Sequence, residues 1–443
     1  MATSAFRPIY YLGCKNEFSA QIRAAIDDVD PSGGRLGDIF AGTGSVAASL
    51  SYTREVLTVD IQEYSRVICS AVLNPAGLDA RFINELIVDL KRQVETGEKL
   101  WCFQPLIEYE AHCHRHAAGG NAAALVALLE SQPVGAVNLE TLAPDSQYAE
   151  AARESTRRLK ERSLWCSPNT TVARLFGGVY FSYEQAVWLD QVLESANGRP
   201  GLMRDTLVAA ALSAASSIVN TVGKQFAQPI RPRNKDGATK AGLESVVRRD
   251  RSMDVVKTYR GWLQKYSTLP QVVGSPICLR RDYLEAINQN ASKISVLYAD
   301  PPYTRDHYSR FYHVLETMCL RDNPSYSMVT KGGESVVSRG LYRQDRHQSE
   351  FCVRSQAPKA FAALFHTARE SDLPLVLSYS PHEAGDGTHP RVVSMEQVVD
   401  LAKSRYKRVE VVVIDGSTHN VLNRTGLKLQ ARQHAEILLK CYR

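Results

Sequence analysis

The residues best suited to chemistry in this chain are Asp300, Pro301, Pro302 and Tyr303, which follow directly on the apolar run Ile294-Ser295-Val296-Leu297-Tyr298-Ala299. A short apolar run ended by prolines reads as a buried strand. An acid at its carboxyl end stands where open α/β sheets place their ligands. The prolines stop the strand and fix its backbone, since neither donates a ladder hydrogen bond, and their carbonyls stay free to accept. The tyrosine offers a flat face to a planar ring. Together these parts suit an exocyclic amino group on a nucleobase: acceptors for two N–H bonds and a ring to stack on. The same four residues would also make a plain rigid turn, so the reading depends on what accompanies them.

Far upstream, Gly34 to Ala47 reads as a short strand, a glycine turn and a helix beginning near Ser45. Gly42 and Gly44 let the backbone pass close to a ligand. The helix start points free N–H groups at it. The segment departs from the dinucleotide pattern, because a third glycine is missing and Asp38 precedes the turn, where it would repel a pyrophosphate. Asp38 suits a ligand carrying an ammonium group instead. The next apolar run, Val56-Leu57-Thr58-Val59, ends in Asp60, placed to accept hydrogen bonds from ribose hydroxyls. Ribose and a cationic amino acid without a pyrophosphate describe S-adenosylmethionine. The bland alternative is a glycine turn beside a solvated acid.

The N-terminal Tyr10-Tyr11-Leu12-Gly13-Cys14-Lys15 precedes a helical pattern from about Glu17 to Ile26. Tyr-x-Gly-x-Lys, then Asp-x-Phe-x-Gly-x-Gly, then Asp-Pro-Pro-Tyr, in that order, resemble the N6-adenine-specific DNA methyltransferases of the DNA adenine methylase (D12) class. The run Tyr308 to Thr317, the strand Leu375 to Ser380 and, more weakly, Val179 to Ala186 are similar to a subgroup associated with restriction-modification systems. The motifs cover roughly the first 80 and the last 170 residues. The resemblance implies S-adenosylmethionine as cofactor, contacted by Tyr11 and Lys15, with Lys15 near its carboxylate, Phe40 packed beside it and Asp282 approaching its adenine. It also implies duplex DNA as substrate, a cognate restriction nuclease or other defence-system partner, and a bacterial or phage cytoplasm.

The elements that must position these residues make an α/β fold. The expected architecture is a Rossmann-like, doubly wound methyltransferase sheet with a closing antiparallel strand and an inserted helix-rich target-recognition domain. Residues 1–80 supply a helix and two βα units, and residues 275–443 resume the sheet. Ile277 to Leu279 reads as the third strand, the run before Asp300 as the fourth and Leu375 to Ser380 as the fifth. Arg408 to Asp415 and Ala435 to Tyr442 read as the closing pair. Residues 81–274 form the insert, with Ala122 to Leu129 and Thr206 to Val219 as apolar helical stretches, placed where the family keeps its target-recognition domain.

Between Lys224 and Arg251 stand eight basic residues (Lys224, Arg231, Arg233, Lys235, Lys240, Arg248, Arg249, Arg251) against three acids (Asp236, Glu244, Asp250). Pro229, Pro232, Asn234 and Gly237 make the first part a loop. Such a segment suits the phosphate backbone of DNA, with Lys224, Arg231, Arg233, Lys235, Arg248 and Arg249 as candidate contacts; a solvated charged face is the alternative. Arg153 to Arg162 alternates basic with acidic residues and reads as a solvated helix.

Composition bounds the rest. A chain of 443 residues with 44% hydrophobic residues buries real cores, and a net charge of +6 permits nucleic-acid binding without demanding it. Nine scattered cysteines without a Cys-x-x-Cys pair suit a reducing cytosol. No signal peptide and no membrane span are expected. His112, Cys113, His114, His116 and Cys102 are too crowded to share one tetrahedral ion, and read as a polar helix end or loop, so no metal is expected. His313 and Glu316, at i and i+3 of a helix, read as structural, whereas Tyr308 and Tyr312 could line the DNA path.

The expected reaction is methyl transfer to an adenine N6 rotated out of the duplex. Tyr303 would stack on the base, and Asp300 and the Pro301 carbonyl would accept its amino hydrogens, with Pro302 holding the turn. Hydrogen bonding from both N–H bonds helps the delocalised amine pyramidalise as it attacks. N4-cytosine methylation, RNA methylation at adenine N6 or guanine N2, and a catalytically inactive DNA-binding module remain alternatives.

Overall fold

The computed structural model describes residues 6–13, 15–143, 146–304, 307–379, 391–414 and 436–443. A seven-stranded sheet forms its centre. The strands are β1 (Leu36–Asp38), β2 (Val56–Asp60), β3 (Ile277–Arg280), β4 (Val296–Ala299), β7 (Leu375–Tyr379), β8 (Val409–Ile414) and β9 (Glu436–Cys441), in the spatial order β3-β2-β1-β4-β7-β9-β8; β5 (Met328–Lys331) and β6 (Glu334–Val337) form a separate antiparallel hairpin. The first five sheet strands run parallel, whereas β9 pairs antiparallel with both β7 and β8. Strands such as Val-Leu-Tyr-Ala in β4 are apolar throughout because helices cover both faces. Leu57, Val59, Leu297 and Ala299 meet the helices α13 (Tyr283–Asn290), α15 (Ala357–Glu370) and α16 (Met395–Lys403). The alternate residues Val56, Val296 and Tyr298 meet α1 (Ser19–Val29) and α2 (Ser45–Leu50).

This mixed α/β architecture, with its mostly parallel sheet, is compatible with a methyltransferase fold. The expected strands are present at the expected places. Ser380, Asp415 and Ala435, at the ends of three of them, lie outside the described residues. The first helix is preceded by a short 3-10 turn at Asn16–Phe18.

Between α3 (Glu63–Leu73) and β3 the chain is almost wholly helical: α4 (Ala80–Thr96), α5 (Glu98–Ala118), α6 (Ala123–Glu130), α7 (Gln147–Glu161), α8 (Thr171–Phe176), α9 (Tyr183–Asn197), α10 (Gly201–Ile218), α11 (Leu243–Arg251) and α12 (Val255–Ser267). Local signals set these boundaries. Asp79 caps α4 by accepting from the Phe82 amide, and Ser182 with Gln185 forms a capping box on α9. Helix α10 starts at Gly201, before the expected Thr206. It is buried nearly all round, and packs against α3, α9 and α12 with alanines at 209–211, 214 and 215. Side chains of this segment, of α3 and of α14 (Tyr308–Leu320) form one continuous apolar cluster.

Candidate functional site

The sheet order reverses between β1 and β4, since connections from β1 run outward to β2 and β3 while those from β4 run the other way. A crevice opens at such a switch point, beyond the carboxyl ends of the strands. Asp38 ends β1 and Asp300 follows β4, so both face the same cavity of about 330 Å³. Tyr11, Lys15, Phe40, Asp60, Asp282, Pro301, Pro302 and Tyr303 line it too. Residues far apart in the chain thus meet at one place.

Asp38 is 1% exposed, and among the described residues neither carboxylate oxygen has a hydrogen-bond partner of normal geometry. Burial pushes its carboxyl up to about 7, helped by the neighbouring charge of Asp300, while the amides of Ala47 and Phe40 only temper the rise. A buried acid so left unsatisfied is placed for a cationic or hydrogen-bond-donating ligand. Asp60, which burial also raises, accepts from the Gly42 amide at 3.1 Å and the Gln62 amide at 2.9 Å, which orients it at the end of β2. Phe40 makes an apolar slot with Tyr283 and Phe351, at ring distances of 5.0 and 5.4 Å. Asp282 is exposed at the rim, where it caps α13.

Gly42 and Gly44 lie behind the cavity wall with φ of 54° and 71°. A Cβ on Gly42 would come within 2.5 Å of the Tyr11 hydroxyl. The glycine therefore makes room for a protein side chain. Tyr11 stacks on Tyr312 at 4.9 Å, and the Tyr312 hydroxyl accepts from the Leu12 amide at 2.8 Å. Tyr312 is thereby a wall residue, whereas Tyr308 lines the cavity itself.

Lys15 lies deeper than expected. Its Nζ is 3.3 Å from Asp300 Oδ1 and 3.0 Å from Glu436 Oε2, and it donates to the Tyr303 hydroxyl at 3.5 Å. Ser378 Oγ donates to the other oxygen of Glu436 at 2.9 Å. Burial opposes the charge on Lys15, but Asp300 and Glu436 more than compensate, so its pKa is raised. One cation serves the buried Glu436 and the half-buried Asp300. Asp300 is accordingly raised by burial to about 7, with Lys15 pulling it back and Glu436 pushing it up. Tyr303 is braced edge-on by Tyr379 at 5.1 Å. Sequence reasoning missed Glu436 and Ser378; the available signal was an acid opening the apolar run Ile437-Leu438-Leu439 of β9.

The basic candidates separate into two groups. Lys224 and Arg249 both pair with Asp250, Arg233 with Glu130 and Arg248 with Glu244. Arg231 and Lys235 have no carboxylate partner among the described residues. Arg251 is buried against Glu110. His313 is buried and held neutral, its pKa pushed down to about 3 by burial, beside the Phe226 carbonyl. Glu316 accepts from the Glu63 and Tyr64 amides and so caps α3 from α14. Cys102 and His112 to His116 lie within α5, the histidines in its last turns.

Two comparisons with known proteins bear on this site. Modification methylase LlaI of Lactococcus lactis subsp. lactis is 24% identical over 185 residues, covering 40% of this chain and 26% of that protein. The matched stretch thus spans about a quarter of the relative's length. The family model of the D12 class N6 adenine-specific DNA methyltransferases matches the stretch that carries Tyr11, Lys15, Asp38, the glycine turn and Asp60. Over residues 11–100 this chain is therefore similar to the D12 class of N6 adenine-specific DNA methyltransferases, the family its motifs resemble.

Proposed function

We propose that this chain is an S-adenosylmethionine-dependent methyltransferase acting on N6 of an adenine extruded from duplex DNA. The observation that carries the reading is that Asp300, beside Pro301, Pro302 and Tyr303, faces the same cavity as the unsatisfied Asp38. The residues fit the cofactor: Asp38 for its ammonium, Asp60 for its ribose, Phe40 and Tyr283 for an apolar ring, and Asp282 at the rim for the adenine amino group. When bound, the cofactor supplies an electrophilic methyl on sulfur.

The rest is done by this chain. Tyr303 stacks on the extruded base. Asp300 Oδ and the Pro301 carbonyl accept the two amino hydrogens and so hold the nitrogen lone pair toward the methyl. Lys15, anchored by Glu436, keeps the Asp300 carboxylate in position. Burial of the cluster keeps water from competing for those hydrogens. Asp300 takes up the proton that the amine releases as it is methylated. Residues 81–274 read the target sequence as an inserted recognition domain. The protein works in a bacterial or phage cytoplasm, as the modification enzyme of a restriction-modification or other defence system.

The test is methyl transfer from labelled S-adenosylmethionine to unmethylated duplex DNA by wild type and Asp300→Ala, followed by digestion to nucleosides and mass analysis. N6-methyladenine from wild type, with at least about a hundredfold loss in the variant, is the expected result. N4-methylcytosine would overturn the target base. Product on RNA alone would overturn the substrate, and no cofactor binding would sink the enzyme reading.

A further inference from the structure

We propose that Arg310 and Arg346, which flank the ring of Tyr342, together with the neighbouring Arg231 and Arg339, form a seat for the phosphodiester backbone of DNA beside the mouth of the cavity. This rests on the methyltransferase reading for its choice of polyanion. The arginines come from separate parts of the chain: the loop before α11, the first turn of α14, and the loop after the β5–β6 hairpin. The guanidinium carbons of Arg310 and Arg346 lie 5.6 and 5.7 Å from the Tyr342 ring centre. Arg339 donates to the Ile230 carbonyl at 2.8 Å, and Arg346 to Ser327 Oγ at 2.7 Å and the Arg343 carbonyl at 3.2 Å. All of these acceptors are neutral.

Arg343, which directly follows Tyr342 in the same loop, is neutralised by Asp322 and Asp345, both within 2.9 Å. By contrast, no carboxylate pairs with any of the four arginines among the described residues. The acid that bears on Arg339 is Glu130, which is already paired with Arg233 at 2.9 Å. After burial, the charge of Arg231 is what lowers the pKa of Arg339, and the charge of Arg310 that of Arg346. Such crowding of like charge costs free energy in the free protein and is relieved by an anion.

The platform is also fixed in shape. The Tyr342 hydroxyl donates to the Ala227 carbonyl at 2.5 Å, and a Cβ on Gly340 would collide with the Tyr342 ring. Arg231, Arg310 and Arg339 are exposed. Arg310 directly follows Tyr308 and Ser309, and Arg346 precedes His347, all three of which line the cavity with Asp300. The phosphates on either side of an extruded nucleotide must lie at that mouth. The seat therefore holds the strand carrying the target base, and holds it without reading sequence. Four of the six basic residues expected from sequence to meet DNA are paired within the protein, and Arg231 is the one that joins this seat.

The experiment is fluorescence anisotropy of a labelled duplex across a salt series, with the full chain as wild type, as the double variant Arg310→Gln/Arg346→Gln, as Arg310→Lys/Arg346→Lys, and as the control Arg157→Gln. Arg157 is exposed, distant in sequence and paired with Glu154 and Glu161. The Gln variant should lower the slope of log K against log salt by about 0.9 for each phosphate it no longer neutralises. It should weaken binding about equally for duplexes with and without the target site. The Lys variant should keep most of the slope, and the control all of it. Binding of S-adenosylmethionine by calorimetry should be the same in the three variants as in wild type, which shows that the variants are folded. An unchanged slope in the Gln variant, from a wild type that methylates DNA, overturns the seat and leaves the function standing. A slope change seen only on an RNA duplex overturns DNA as the partner. A wild type that neither binds nor methylates DNA overturns both.

Discussion

In the reaction proposed above, Asp300 must be a carboxylate to take up the proton that the amine releases. Burial raises its carboxyl to about 7 against the pull of Lys15, so it is ionised above that pH and protonated below. Single-turnover methyl transfer at saturating substrates should fall about tenfold per pH unit below 7 and level off above. A rate that stays flat well into the acid range would mean that Lys15 keeps the carboxylate ionised throughout. Asp38 is the second acid raised to about 7, mainly by burial. Its folded pKa lies above its unfolded one, so the stability it contributes is full below about 4 and is lost as pH rises through its folded value. Thermal melts without ligand should therefore show Asp38→Asn gaining most over wild type above pH 7, on the order of a few kcal/mol. A variant that melts no higher than wild type there would show that Asp38 carries no such burial cost.

At the level of elements, the site depends on helix ends held from a distance. Helix α3 begins at Glu63 without a side-chain cap from its own Gln62. Glu316 on α14 supplies the acceptors instead, at 3.1 and 3.0 Å from the first two amides. This joins the helix after Asp60 to the helix after Tyr303, and so fixes the distance between the two halves of the cavity. Glu316→Ala should cost about 1–3 kcal/mol, read as a lower melting temperature, and Glu316→Gln less, since one acceptor remains. Equal losses in the two variants would show that charge, not hydrogen bonding, is what α3 requires.

For the molecule as a whole, the helical segment and the sheet are not separable bodies by their packing. Helix α10 lies against α3, and the apolar cluster runs unbroken from Val67 and Ile68 through Leu207 and Leu212 to Val314 and Leu315. Calorimetry should therefore show one cooperative transition, with the far-ultraviolet signal of the helices lost together with tertiary signal. Two well-separated transitions would show that the helical segment folds alone. If residues 81–274 read the target as proposed, such coupling lets that reading bear on the geometry of Asp300.

The sequence by itself determined the strands that carry Asp38, Asp60 and Asp300, because apolar runs ending in an acid, a glycine turn or prolines are local patterns that the backbone must obey. It also marked Tyr11, Lys15, Phe40 and Tyr303 as candidates, and the cavity collects them all. Only the tertiary structure decided what each charge faces. Lys15 turned inward between Asp300 and Glu436, a partner 421 residues away in the chain. Lys224, Arg233, Arg248 and Arg249 found carboxylates, whereas Arg310 and Arg346, scattered and unremarkable in sequence, came to flank Tyr342 with no carboxylate paired to them among the described residues. Charge pairing depends on distances of a few ångströms between segments remote in the chain, and no local pattern records them.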